Sequence, residues 1–157
     1  MKIEVWQIGK KKDKQFEPIE SEYIKRLKGV HQISFRFFKE AQHKNMSSLQ
    51  IKKQESEAMI SQFSNTDFKI LLDEHGSQLT SLKFSKLLSE TEVKPNIQKI
   101  IFCIGGAYGF SDEIRQKTDF QLSLSKMTFA HKMVPALLME QIYRAHTIKI
   151  GHQYHKE

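Results

Sequence analysis

Apolar residues recur with a period of two from Lys2 to Ile8, where Ile3, Val5 and Ile8 are spaced around Trp6. That spacing predicts a strand. From Glu17 to Lys28 the period lengthens to that of a helix, with Ile19, Tyr23, Ile24 and Leu27 on one face. Pro18 is tolerated in its first turn and Gly29 ends it. Alternation returns at Ile33, Phe35 and Phe37, a second strand running to Phe38. Gln42 to Ser48 is polar and reads as a loop, and Leu49 to Phe63 reads as a helix through Ile51, Met59, Ile60 and Phe63. Asp67 to Leu72 is a third strand, with Asp73-Glu74-His75-Gly76 read as a turn after it. Thr80 or Ser81 caps the next helix, whose apolar side is Leu82, Phe84, Leu87 and Leu88, and Pro95-Asn96 breaks it.

The last third opens on the most hydrophobic strand, Gln98 to Ile104, which predicts a central place in a sheet covered on both faces. Ser111 starts a short helix through Lys117, and Phe120 to Leu124 is a fifth strand. Pro135 to His146 is the last helix, burying Leu137, Leu138, Ile142 and Ala145. Strands alternating with helices predict an α/β fold with a mostly parallel sheet flanked by helices. With no repeat and no linker, residues 1–157 read as one domain. Ligands of such sheets bind beyond the carboxyl ends of strands. Three ends stand out: Leu72, Gly105-Gly106, and Leu124 onward.

Composition narrows the class. Apolar residues are 39% and charged residues 27% of 157, as in ordinary globular proteins. No apolar run reaches the roughly 20 residues of a membrane span. The start, MKIEVWQIGKKK, puts a strand before its lysines, the reverse of a secretory signal, so a cytoplasmic protein is expected. Cys103, alone in an apolar run, reads as a small buried side chain. The net charge of +7 favours a polyanionic partner. Lys10, Lys11, Lys12 and Lys14 are either a phosphate contact or a solvated loop.

The candidate chemistry centres on Gly105, Gly106 and Gly109 in GGAYG. This is neither the dinucleotide fingerprint nor the phosphate loop. Only about fifty residues follow it, too few to complete a dinucleotide fold. The glycines make either a ligand-holding turn or merely a tight one. Asp73 and Glu74 are adjacent and a poor acid/base pair, and no cysteine or acidic cluster turns His152 and His155 into a metal site. Ser123 and Ser125 lack a nucleophile elbow. His131 is a ligand, a base or a hydrogen-bonded histidine at a helix start. The mixed cationic and aromatic end, His146 to Lys156, is an RNA surface or a frayed tail.

Four segments in order carry a resemblance: IGGAYG at Ile104–Gly109, LSLSKMTFAH at Leu122–His131, EQIYRA at Glu140–Ala145, and YHK at Tyr154–Lys156. Together they resemble the bacterial RlmH proteins, small SPOUT-type methyltransferases of ribosomal RNA. The opening strand, the Asn45-Met46 region and the Leu72-Asp73 to Gly76 stretch fit as well, so the resemblance spans the chain. It implies a trefoil knot in the C-terminal part, about residues 67–147, followed by an RNA-facing tail at 148–157. It also implies S-adenosylmethionine bound largely by backbone groups of Leu72, Gly105, Leu124, Ser125, Lys126, Met127, Thr128 and Phe129.

The implied reaction is methylation of N3 of a pseudouridine in a stem-loop of 23S rRNA, within the ribosome. The resemblance further implies a homodimer in which the cofactor of one subunit lies near the tail of the other, without membrane, DNA or metal. An imide nitrogen is a poor nucleophile until its proton leaves, so the protein must position the base and help remove that proton. His131, Arg144, His152, Tyr154 and His155 are candidates for substrate contact or proton removal, with the base unassigned among them. Pro135 stands where many relatives carry arginine, and Ala130 where proline is frequent. Two alternatives stay open: an RNA-binding or ribosome-associated factor that has lost catalysis, and a knotted methyltransferase with another RNA target.

Overall fold

The computed structural model describes residues 1–11, 13–42 and 44–155. Five strands and five helices alternate along them. They are β1 (Lys2–Ile8), α1 (Glu17–Leu27), β2 (Gln32–Phe38), α2 (Ser48–Ile60), β3 (Asp67–Gln78), α3 (Ser81–Glu92), β4 (Lys99–Ile104), α4 (Asp112–Gln116), β5 (Phe120–Ser123) and α5 (Val134–Lys149). The strands form one parallel sheet in the order β2-β1-β4-β3-β5. Among the described residues no helix is long and apolar enough to cross a membrane.

β4 holds the centre, as its hydrophobicity predicts. Ile100, Phe102 and Ile104 join Ile3, Val5 and Ile70 in one core, closed by Leu27 of α1, Phe84 and Leu88 of α3, and Leu138 and Ile142 of α5. Ile101 and Cys103 point the other way, to Trp6, Ile8, Leu71, Met59 of α2 and Ile114 of α4. Burial on both faces explains why β1 does not alternate cleanly: Ile3 and Val5 face one core, Trp6 and Ile8 the other. Cys103 is fully buried, and burial pushes its thiol up, so it stays protonated and inert.

Two helix starts follow local chemistry. Ser47 caps α2 in a capping box with Gln50, and Thr80 caps α3 by accepting the Lys83 N–H at 3.3 Å. The expected turn at Asp73–Gly76 is a correction. The stretch lies inside β3, which runs on to Gln78, and it forms a bulge in that strand, with the Asp73 carboxylate accepting the His75 N–H at 2.9 Å. Leu72 pairs with Leu122, the pairing lapses, and Ser77 then pairs with Leu122 as well. Within the lapse Gly76 passes so close to β5 that a Cβ there would lie 2.7 Å from the Gln121 carbonyl carbon. The turn-like composition is expressed as a bulge within a longer strand, whose far side returns to pair with β5.

Candidate active site

A cavity of about 500 Å³ opens beyond the carboxyl ends of β4 and β5 and beside the bulge of β3. Leu72 is the last residue of β3 paired with β4, Gly105 and Gly106 follow β4, and Leu124 follows β5. Its volume lies within the range of about 300–1,000 Å³ typical of small-molecule sites. Of the residues that the resemblance assigns to a cofactor, Leu72, Gly105, Leu124, Ser125, Met127, Thr128 and Phe129 line it; the Lys126 side chain is exposed and does not.

The turn after β4 is built by its glycines. The Gly109 N–H donates to the Gly106 carbonyl at 3.0 Å, and Gly109 takes a positive φ of 76°. Gly106 rests on α2: a Cβ there would come within 2.7 Å of the Glu55 carboxylate. The next residue of α2, Ser56, accepts the Ser111 N–H at 3.0 Å and fixes where the turn ends. Gly105 lies against Phe110, whose ring would be 3.2 Å from an added Cβ. The glycine at 105 therefore has a packing reason as well as any reason connected with a ligand.

The loop after β5 is held by hydroxyl groups. Ser123 donates to the Ser125 carbonyl at 2.8 Å, and the Met127 N–H donates to the Ser125 hydroxyl at 3.0 Å. Thr128 donates to Glu74, tying the loop to the far stretch of β3. Asp73 is paired with Arg115 of α4 and also accepts the His75 N–H at 2.9 Å. Sequence reasoning pointed to Leu72 with the stretch after it, which brings in Asp73 and Glu74, but it missed Arg115 as part of this rim. The loop then continues to His131, which lines the cavity, and Pro135 takes its place in the first turn of α5.

The remaining candidates are elsewhere in the protomer. Arg144 lies ten residues after Val134, the cavity-lining first residue of α5, which is about 15 Å along a helix. Its guanidinium bonds Glu140 at 3.0 Å through Nε and sits 4.8 Å from the Tyr154 ring centroid. The Tyr154 hydroxyl donates to Glu140 at 3.1 Å and lies 3.4 Å from the Tyr23 hydroxyl of α1. The Tyr23 contact, burial and the Glu140 carboxylate push the phenol well above its ordinary value. In this setting Tyr154 is a donor, not a proton acceptor. His155 Nδ1 lies 3.5 Å from Arg144, and exposed His152 folds back through its N–H to the Thr147 carbonyl. Lys156 and Lys12 lie outside the described residues.

This architecture, a parallel five-stranded sheet flanked by helices, has counterparts among known proteins. The sequence matches the family described as predicted SPOUT methyltransferase over residues 1–155. The chain belongs to the SPOUT methyltransferase family. Full-length relatives include the ribosomal RNA large subunit methyltransferase H of Christiangramia forsetii, 38% identical over 99% of both chains. The protein of that name from Cytophaga hutchinsonii is 38% identical over 99% of both, and that from Kosmotoga olearia 36% over 99% of both. A probable methylase family protein from Haemophilus influenzae superposes with a TM-score of 0.53 at 11% identity, covering 99% of this chain and 70% of the other. That likeness shows the fold alone. Among the described residues no group of three or more His, Cys, Asp or Glu gathers as a metal site.

Proposed function

We propose that this SPOUT methyltransferase transfers a methyl group to N3 of a pseudouridine in a stem-loop of 23S rRNA on the assembled ribosome. S-adenosylmethionine is the donor, and the protein works in the cytoplasm as a homodimer. The observation that carries the reading is the cavity itself, which gathers Leu72, Gly105 and the Leu124–Phe129 loop around one space. Those residues fit the donor: Leu72, Leu122, Leu124 and Phe129 supply apolar walls, and Gly105, Gly106 and Gly109 line the same space. The trefoil knot belongs to this reading, supported by the tight crossing of Gly76 and Gln121 and by the two pairings of Leu122.

When bound, the donor supplies an electrophilic methyl group on a sulfonium centre. The protein's own part is to place the imide nitrogen in line and to manage its proton. His131 is the candidate for that work at the cavity. Arg144, His152, Tyr154 and His155 reach a cavity only as the tail of a second subunit laid over the first. An arginine there stabilises an imide anion without accepting its proton, and Tyr154, kept neutral, donates a hydrogen bond. Exposed Met127, Phe129 and Met133 beside the cavity support a covering partner.

Calorimetry with S-adenosylmethionine tests the donor, with saturable binding expected and no heat at millimolar ligand overturning the reading. Mass spectrometry of 23S rRNA from a strain lacking the gene tests the acceptor. Loss of one methylpseudouridine is expected, and an unchanged nucleoside profile would point to another RNA.

A further inference from the structure

A second, smaller cleft of about 430 Å³ lies at the carboxyl end of β1 and shares His131 as a wall with the cavity just described. Its floor is Gln7, Ile8 and Gly9, and its rim is Lys10, Lys11, Lys14 and Lys132, with Asp13 and Glu40 among them. Gly9, at a φ of 137°, turns the chain out of the sheet while its N–H donates to the Phe38 carbonyl at 2.8 Å. Asp13 then organises the entry to α1, accepting the Gln15 N–H on its side chain at 2.9 Å and the Glu17 N–H on its carbonyl at 2.9 Å. Asp13 also pairs with Lys132 at 3.4 Å, joining this loop to the segment that leaves the cavity.

Three lysines of the rim, Lys10, Lys11 and Lys14, differ from lysines that the fold engages. Lys69, Lys99 and Lys149 are engaged by Asp119, Glu4 and Glu92. Lys10, Lys11 and Lys14 are exposed, and none has an ion-pair or hydrogen-bond partner among the described residues. Phe, Tyr and Trp are absent from the described lining of the cleft, so it offers charge without a stacking surface. Unpaired cations without rings suit the phosphate backbone of a nucleic acid rather than its bases.

We infer that this cleft is a docking site for the RNA phosphate backbone beside the target nucleotide, held by Lys10, Lys11 and Lys14. The inference rests on the rRNA reading above and names where that RNA is gripped. The strand crosses the loop after β1 and passes the shared wall at His131 into the cavity. The contact adds affinity and register without reading sequence. Asp13 does not oppose it, being neutralised by Lys132.

The test uses large ribosomal subunits purified from a strain lacking the gene, and compares the natural protein with the triple variant Lys10→Gln/Lys11→Gln/Lys14→Gln. Binding is measured across a salt series, and methyl transfer by steady-state kinetics. The variant is expected to raise KM for subunits by about tenfold or more and to lower the slope of log affinity against log salt by about two to three, roughly 0.7–0.9 per lost phosphate contact. Its affinity for S-adenosylmethionine should be unchanged, and Lys→Arg at the same three positions should restore the slope. An unchanged KM and salt slope would overturn the inference. So would a parallel fall in cofactor affinity, since the loop would then act through the fold. If the natural protein binds subunits but transfers no methyl group to them, the reaction assigned above falls, while the difference in salt slope still decides this contact.

Discussion

The cavity and the tail cluster are built in opposite ways, although both belong to the last third of the chain. The cavity is shaped by backbone: glycines at 105, 106 and 109, and a loop fixed by the hydroxyls of Ser123, Ser125 and Thr128. The cluster on the C-terminal half of α5 is shaped by long side chains, with Glu140 receiving both Arg144 and Tyr154, and Tyr143 meeting the Tyr154 ring edge-on at 4.9 Å. A backbone-built site tolerates little added volume, and its charged groups, Asp73 paired with Arg115 and Glu74 with Thr128, sit at its rim. A side-chain network fails when one charge is removed. That contrast suits their proposed tasks: a constant cofactor against a charged, deformable RNA.

The most damaging change should therefore be a single added side chain at a crossing of backbones. At Gly76 the obstacle is the Gln121 and Leu122 main chain, which cannot rotate away. Gly76→Val should destabilise the fold by at least the upper end of the about 1–3 kcal/mol range for overpacking, read as a lowered urea midpoint. A natural midpoint would remove the idea that this crossing is tight. Gly105→Val is the milder and more informative partner, because its obstacle is the Phe110 ring. It should abolish cofactor binding while the protein still folds and associates. Adding Phe110→Leu to Gly105→Ala then separates packing from ligand contact. Recovery of stability without recovery of S-adenosylmethionine affinity places the donor against Gly105, whereas recovery of both makes that glycine a packing residue only.

On the other side of the contrast, Glu140→Gln keeps the volume and removes the charge that holds Arg144 and Tyr154. Both groups are partly exposed, so the loss of stability should be about 1 kcal/mol, below the usual range for hydrogen bonds to buried charges. If the tail serves the second subunit's cavity, kcat should fall about tenfold or more while cofactor affinity stays within about twofold. Equal losses in both would show that the cluster supports the cavity of its own protomer.

How far each region was legible in the sequence follows from the same contrast. The alternating elements and the three strand ends were readable, because parallel sheets place ligands beyond carboxyl ends and glycine marks close approach. The extension of β3 through Asp73–Gly76 was not. Those residues favour a turn locally and form a bulge, and only the pairing of Ser77 and Gln78 with β5 beyond it continues the strand. The Asp73–Arg115 pair spans 42 positions, so nothing local announces it. Lys10, Lys11 and Lys14 were visible as charge, but their place beside His131 depends on β1 ending next to the loop that leaves β5. His131, Arg144, His152, Tyr154 and His155 read as one group of candidates, and the fold divides them because α5 is a rigid helix between the cavity and the tail.

The smallest effect expected is one of pH, confined to the side-chain end of α5. His31, nearly buried, places Nε2 3.6 Å from Glu92, and its ring meets that of His146 edge-on at 5.9 Å. Burial holds His31 below its ordinary value. Glu92 pulls the other way, while the N-terminus, His146 and Lys149 reinforce the shift. His146 is lowered too, by burial and then Lys149. A histidine that protonates more readily unfolded than folded stabilises the fold above its unfolded value of about 6.5, and that contribution is lost as pH falls below it. The urea midpoint should therefore drop between about pH 7 and pH 5, and His31→Gln should flatten the drop. The hydroxyls and amides that hold the cofactor loop do not titrate in this range. Over the part of that interval in which the protein remains folded, S-adenosylmethionine affinity should change less than stability does. A cofactor affinity that followed the His31-dependent midpoint would mean that the two ends of α5 are coupled, and that the division between backbone-built and side-chain-built regions does not extend to function.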